Sequence, residues 1–353
     1  MRGGAVVARQ AHNLKIVGSS PTPATKMFKK KKSLAIDLGT SSVKGLSLTK
    51  TARGVEITNL SFSPISVPAE ERKKVWKKTV QAFVKETGAT NITLSLPGRE
   101  VLVRFISFPP VEPGKIKSML RYEVQHQLPF PLDAVVWSYQ ILSQKEKINL
   151  LVGAVKKEMV NKRLDLFADL KVEINFVDCD AFALLNLLRF SPNFEKDKTI
   201  AFLELGAESS NLLICHNEQM LIRSLTISGN TFTTTIGEVS NTDFPEAEEK
   251  KIKEGKEMFS SLSSVLENLI TEIQNSIDYW RFTRKGPEIK ELLLAGGSSK
   301  LVGLKDFFTE KLRIETTLFN PFANISCSPQ FKEIVETENP RLAVAVGLAL
   351  RQI

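Results

Sequence analysis

The chain has 353 residues, 42% hydrophobic and 25% charged, a globular composition with apolar content for about two domains or one larger bilobed unit. Its net charge of +9 falls to +5 when the cations Arg2, Arg9, Lys15 and Lys26 are set aside (9 minus 4), too mild a balance to point to nucleic acid. Three scattered cysteines, Cys179, Cys215 and Cys327, exclude a disulfide framework or zinc ribbon and fit a reducing cytoplasm, and the scattered histidines offer no metal cluster.

Residues 1–26 carry those four cations, no acid and no apolar signal core. Gly18-Ser19-Ser20-Pro21 is what a tRNA T-loop would encode if read as codons, so translation is expected to begin at Met27 and residues 1–32 to be a disordered or non-native extension. Lys29 to Lys32 read as a solvated end. From Ser33, the run Leu34-Ala35-Ile36 predicts a buried strand, Asp37-Leu38-Gly39-Thr40-Ser41-Ser42 a turn, and Val43, Leu46 and Leu48 a second strand. A third strand follows at 55–60, a helix at 70–87, and a strand at 92–96 stopped by Pro97-Gly98.

Beyond residue 98 the character changes. Val101, Val103 and Phe105 alternate, Pro109 to Pro113 turn the chain, and Ile116, Met119, Leu120 and Val124 form one helical stripe opposite Lys117, Arg121 and Gln125. Strands at 135–141 and 149–155 and a helix at 157–170 complete a small α+β subdomain inserted over 99–175. The opening pattern then recurs: Ile200 to Leu203 leads into Glu204-Leu205-Gly206, paired serines Ser209-Ser210 and a strand at 212–215, 167 residues after its first occurrence. A duplicated lobe explains this. A charged helix at 245–254, a helix at 262–282, and the strand Leu292-Leu293-Leu294 ending in Ala295-Gly296-Gly297-Ser298-Ser299 follow, the last ahead of another helix. The apolar run from Leu342 to Leu350 spans nine residues between Arg341 and Arg351, against about 20 needed to cross a bilayer.

Phosphate binding requires several backbone N–H donors converging on a concavity, with glycine where a Cβ would obstruct. Gly39, Thr40, Ser41 and Ser42 supply such a loop, with Lys44 as a point charge and Asp37 placed to hold magnesium through water. There is no GxxxxGK[ST], so this is not a P-loop. Three glycine-bearing loops at strand ends, two of them repeated, suggest a nucleotide held between two related lobes.

This set resembles the superfamily of actin, heat-shock chaperone ATPases and sugar kinases. Residues 37–44 resemble its first phosphate motif, 204–210 its second, and 292–299 its adenosine motif; Ala247-Glu248-Glu249-Lys250-Lys251 resembles its A-E-x-x-K helix. The resemblance implies an α/β, bilobed actin-like ATPase fold of duplicated ribonuclease H-like lobes with an inserted subdomain. It implies ATP and Mg2+ as ligands, with Gly206, Ser209, Glu248, Lys251, Gly296, Gly297 and Ser298 joining the first loop at the nucleotide. Residues 180–188 and 341–350 become interlobe helices, crossing closely at Gly347. The lobes are expected as 33–98 with 176–203 and 336–353 for the first, and 204–335 for the second.

Within the insert, Leu96-Pro97-Gly98-Arg99, Phe108-Pro109-Pro110-Val111, Arg121-Tyr122-Glu123 and Leu128-Pro129-Phe130-Pro131 with Tyr139 are similar to the PilM family of type IV pilus assembly proteins. This implies a cytoplasmic protein, peripheral to the inner membrane, that captures the N-terminal cytoplasmic peptide of a PilN-type protein through Tyr122, Phe130 and Tyr139. Other platform components and a homo-oligomer are further partners the resemblance admits. The related division protein FtsA is disfavoured because no amphipathic tail follows 341–350. Three departures bear on hydrolysis: Glu204 stands where the family has Asp, Glu208 adds negative charge beside the phosphates, and Asp180 takes the place of a water-orienting Glu. Binding with slow or absent turnover is therefore expected of the catalytic candidates Asp37, Asp180 and Glu204. A carbohydrate kinase of the same superfamily is the alternative, since DLGTSSVKG would suit one.

Overall fold

A computed structural model describes residues 33–353 apart from Lys145, Lys196 and Lys256. The expectations for the first 32 residues lie outside the described residues. The chain opens with β1 (Ser33–Leu38), β2 (Ser42–Thr51), β3 (Gly54–Pro64), α1 (Ala69–Thr87) and β4 (Asn91–Leu96). β1 pairs antiparallel with β2 and parallel with β4. Its side chains alternate between two cores: Leu34 and Ile36 pack with Val80 and Phe83 of α1, while Ala35 turns to the middle of the molecule. A strand buried on both faces reads as a continuous apolar run, which is why this one was recognisable.

The insert follows with β5 (Leu102–Phe108), α2 (Ile116–Gln127), β6 (Val135–Gln144) and β7 (Ile148–Lys156). Its sheet, in the order β5-β7-β6, shares no strand with the others. The stripe Ile116, Leu120 and Val124 of α2 packs on Ile106, Leu150 and Val152 in a separate core. The next helix, α3 (Lys157–Asp165), does not belong to that core: Val160 and Leu164 join the central one. The self-contained part of the insert thus ends near residue 156, not 175. β8 (Glu173–Cys179) returns to the edge of the first sheet beside β4, and α4 (Asp180–Phe190) enters the centre.

The second lobe contains β9 (Ile200–Leu205), β10 (Ser210–His216), β11 (Gln219–Leu225), α5 (Gly229–Ser240), α6 (Phe244–Lys253), α7 (Ser263–Asp278), β12 (Glu291–Ala295), α8 (Leu304–Leu312) and β13 (Glu315–Leu318). Its strand order, β11-β10-β9-β12-β13, repeats the first sheet's β3-β2-β1-β4-β8 with the same directions between the matching first four strands. The expected boundary at 203/204 cuts through β9 and must move back to residue 200. The expected end at 335 is also too late, because β14 (Ile325–Ser326) pairs with β3 in the first sheet.

The chain finishes with α9 (Lys332–Glu338) and α10 (Ala343–Leu350). α4 and α10 lie side by side between the sheets. Their Ala183, Leu184 and Val346 share one core with Ala35 and Leu46 of the first lobe and Phe202 and Leu213 of the second. A Cβ on Gly347 would overlap the backbone carbonyl of Ala183, so glycine sets how near these helices can approach. Among the described residues, no helix is long and apolar enough to cross a membrane.

Candidate functional site

The two repeated hairpins face each other across the cleft between the lobes. In β1-β2, Asp37 stands opposite Lys44, and the Lys44 ammonium donates to Asp37 Oδ2 at 2.8 Å. In β9-β10, Glu204 stands opposite Asn211, whose Nδ2 donates to Glu204 Oε2 at 2.9 Å. Each pairing joins an acid to the residue seven positions later, so the repeat carries side-chain partners as well as backbone.

Each acid is followed two residues on by a glycine that lets its loop fold back. A Cβ on Gly39 would lie 2.7 Å from the Ser42 carbonyl oxygen, and one on Gly206 would lie 2.6 Å from that of Ser209. Both distances are closer than a carbon can approach. Trp76 of α1 braces the first loop by donating its indole N–H to the Gly39 carbonyl at 3.0 Å. The second loop accepts from the start of α5: Gly229 N donates to Gly206 O and Asn230 N to Ala207 O, both at 2.8 Å.

Between the hairpins lies a cavity of about 800 Å³, within the range of cofactor pockets. Asp37, Thr40, Ser41, Ser42, Lys44, Glu204 and Gly206 line it, as do Glu248, Lys251, Gly296, Gly297 and Ser298 with Phe244 and Ile252. Lys251 is held by Glu248 Oε2 at 2.6 Å, Thr233 Oγ1 at 2.7 Å and the Gly229 carbonyl at 3.2 Å, and burial lowers its pKa. Gly296 has φ +87° and lies on the Leu205 backbone, so it is needed for folding. Gly297 is different: a Cβ there meets only the Arg341 side chain, nearest atom 3.2 Å away.

A smaller cavity of about 70 Å³ adjoins the first and brings Gly39, Ser209 and Asp180 to Asp37 and Glu204. Asp180 is half-buried at the start of α4, and its Oδ1, out of contact with solvent, has no partner. Burial, together with the charges of Asp37 and Glu204, pushes its pKa well above the usual carboxylate range. Burial also raises Glu204 to about 7, against the opposing effect of its Asn211 hydrogen bond. Among the described residues, no group of three His, Cys, Asp or Glu could ligate a metal directly. The donor set suits a cation held through water.

Glu208 lines the smaller cavity beside these loops, but it is not a free charge there. Its carboxylate is bound by Arg72 of α1 and by Arg99, the latter at 2.8 Å, so the added negative charge is neutralised. Arg72, Trp76, Asn211 and Thr233 had not been identified as site residues. Asn211 could have been, since it follows Glu204 at the spacing of Asp37 and Lys44.

The three aromatics of the insert do not form one cluster with the cleft. Tyr122 on α2 is 63% exposed, edge-on to His126; Phe130 is stacked under the Lys156 ammonium; Tyr139, on the edge strand β6, is half-buried and stacked on Trp137.

The family model for type IV pilus assembly protein PilM matches residues 35–353. The chain is similar to a solved PilM-PilN type IV pilus biogenesis complex with a TM-score of 0.81 and 25% identity over 92% of this chain and 99% of that one. The ethanolamine utilization protein EutJ from Carboxydothermus hydrogenoformans shares the fold at 12% identity, with a TM-score of 0.52 over 98% of each chain. The fold is the bilobed actin-like ATPase fold, one built around a nucleotide cleft, and the family match selects against the carbohydrate kinase alternative. On the strength of a match that runs through both hairpins, the insert and α10, the chain belongs to the type IV pilus assembly protein PilM family.

Proposed function

We propose that the cleft binds ATP with magnesium and that the insert captures the cytoplasmic N-terminal peptide of a PilN-type inner-membrane protein. The chain then serves as a cytoplasmic platform component of pilus assembly, peripheral to the membrane through that partner. The observation that carries the nucleotide part is the pair of folded-back loops lining an 800 Å³ cavity together with the glycine loop at residues 296–297. The phosphates fit against Gly39 to Ser42, Lys44, Gly206 and Ser209, and the nucleoside fits beside Glu248, Lys251, Gly297 and Ser298. Magnesium supplies charge neutralisation to the phosphates when bound, with Asp37 holding it through water.

Slow or absent hydrolysis agrees with the site's titration. Burial and the charges of Asp37 and Glu204 favour the protonated form of Asp180, which weakens it as a general base, and Glu204 lies near its midpoint at neutral pH. The peptide part rests on the similarity to a PilM-PilN complex and on the exposure of Tyr122 and the edge position of Tyr139.

Calorimetry with magnesium and ATP tests the cleft. Gly297→Phe projects a side chain toward the nucleoside where only the flexible Arg341 must yield. It is expected to weaken ATP binding at least tenfold, about 1.4 kcal/mol; wild-type affinity in that variant would mean that the nucleoside lies elsewhere.

A further inference from the structure

Glu208 connects three parts of the molecule. It sits in the loop between β9 and β10, it accepts from Arg72 on α1, and it accepts from Arg99 at the root of the insert. Arg99 also donates to the Glu208 backbone carbonyl at 2.9 Å. The root is tight against the second lobe here, because a Cβ on Gly98 would overlap Asn211 Oδ1 and lie 3.1 Å from Ser224 Oγ. Asn211 in turn holds Glu204.

We propose that Arg72 and Arg99 are ligands for the terminal phosphate of a nucleoside triphosphate, and that Glu208 occupies their guanidinium groups until that phosphate displaces it and frees the root of the insert. The proposal rests on the nucleotide-binding reading of the cleft and adds to it a selectivity and a route to the insert.

Three observations support it. Arg72 lines the large cavity, while Arg99 and Glu208 line the small one that adjoins it at the same loops. The carboxylate uses one Nη of Arg72 and leaves its Nε buried without a partner. Glu208 spends one oxygen on each arginine, whereas a phosphoryl group, with three acceptor oxygens, can take the Nε and Nη edge of Arg72 and still reach Arg99. Finally, burial alone would raise the Glu208 pKa, yet the bonds from Arg99 and Arg72 hold it below the usual range, so the carboxylate is charged and acts as an anion in their grip. A diphosphate lacks the terminal phosphate that this proposal sets in competition with Glu208.

The test compares ADP with a non-hydrolysable ATP analogue, both with magnesium, by calorimetry on wild type, Arg72→Gln, Arg99→Gln and Glu208→Gln. Hydrogen exchange at residues 97–101 is measured in parallel. Arg72→Gln is expected to weaken the analogue about tenfold more than ADP, and Arg99→Gln to act in the same direction. Glu208→Gln should strengthen the analogue at least threefold relative to ADP. Exchange at 97–101 should speed up with the analogue but not with ADP, and in Glu208→Gln without nucleotide. If the wild type binds both nucleotides and none of the variants changes their ratio, the clasp proposal falls while the cleft reading stands. Exchange at 97–101 that ignores both the analogue and Glu208→Gln would also overturn it. If the wild type binds neither nucleotide, the cleft reading fails and the proposal goes with it.

Discussion

Glu204 is a carboxyl buried at the mouth of the second hairpin, and its pKa of about 7 makes it a source of pH-dependent stability. In the unfolded chain it titrates near 4.5, so below that pH both states hold the proton and nothing is lost. Between 4.5 and 7 the unfolded state releases the proton first, and stability falls as pH rises. The full effect, present above pH 7, is about 3 kcal/mol at 1.36 kcal/mol per pKa unit. Glu204→Gln keeps an acceptor for Asn211 and removes the ionisation. Thermal melts without nucleotide should therefore show the variant more stable than wild type at pH 8 and level with it at pH 4. An advantage that does not grow with pH would show that Glu204 is not the titrating group. The Asp-to-Glu departure was visible in the sequence, but the burial that raises its pKa, with the charge of Asp37 on β1 adding to it, arises only when the lobes pack together and could not be seen there.

The elements were unevenly legible. Strands buried on both faces, such as β1, β9 and β12, stood out as short apolar runs, and the repeated acid-Leu-Gly turn tied two of them together. α5 did not. Its Thr231, Thr233, Thr234 and Thr235 are β-branched and suggest strand, but Ser228 and Thr231 form a reciprocal cap and Phe232 and Ile236, four apart, bury one face. The two-residue β14 had no signal of its own, since it exists only by pairing with β3. The α4-α10 crossing was legible through Gly347, and it yields a prediction. Gly347→Ala places a methyl into the Ala183 carbonyl, a backbone atom that cannot turn aside, and should destabilise by about 1–3 kcal/mol or more. Urea unfolding with an unchanged slope and a lower midpoint would show it; an unchanged midpoint would mean the helices separate freely.

For the whole molecule, the insert can be removed where its ends meet. Leu102 of β5 pairs with Ala154 of β7, so excising residues 102–156 and closing the gap with a short turn leaves the outer core of each lobe uncut and takes only Leu151 and Val155 from the buried residues of the central one. The excised protein is expected to keep ATP affinity within about threefold, since none of the residues lining the large cavity lies in that range. It should lose binding to a labelled N-terminal PilN-type peptide in fluorescence polarisation. Retained peptide binding would place the groove outside the insert. The order of the chain through the two lobes has a consequence of another kind. All five strands of the second sheet lie within residues 200–318, whereas the first lobe needs β14 and α10, which come last. Synthesis from the N-terminus therefore exposes the apolar faces of Ala35, Leu46 and Ala183 long before Val346 and Leu348 arrive to cover them. The second lobe, though later in sequence, can complete its sheet first, and the first lobe waits in the ribosome's company for the helix that closes it.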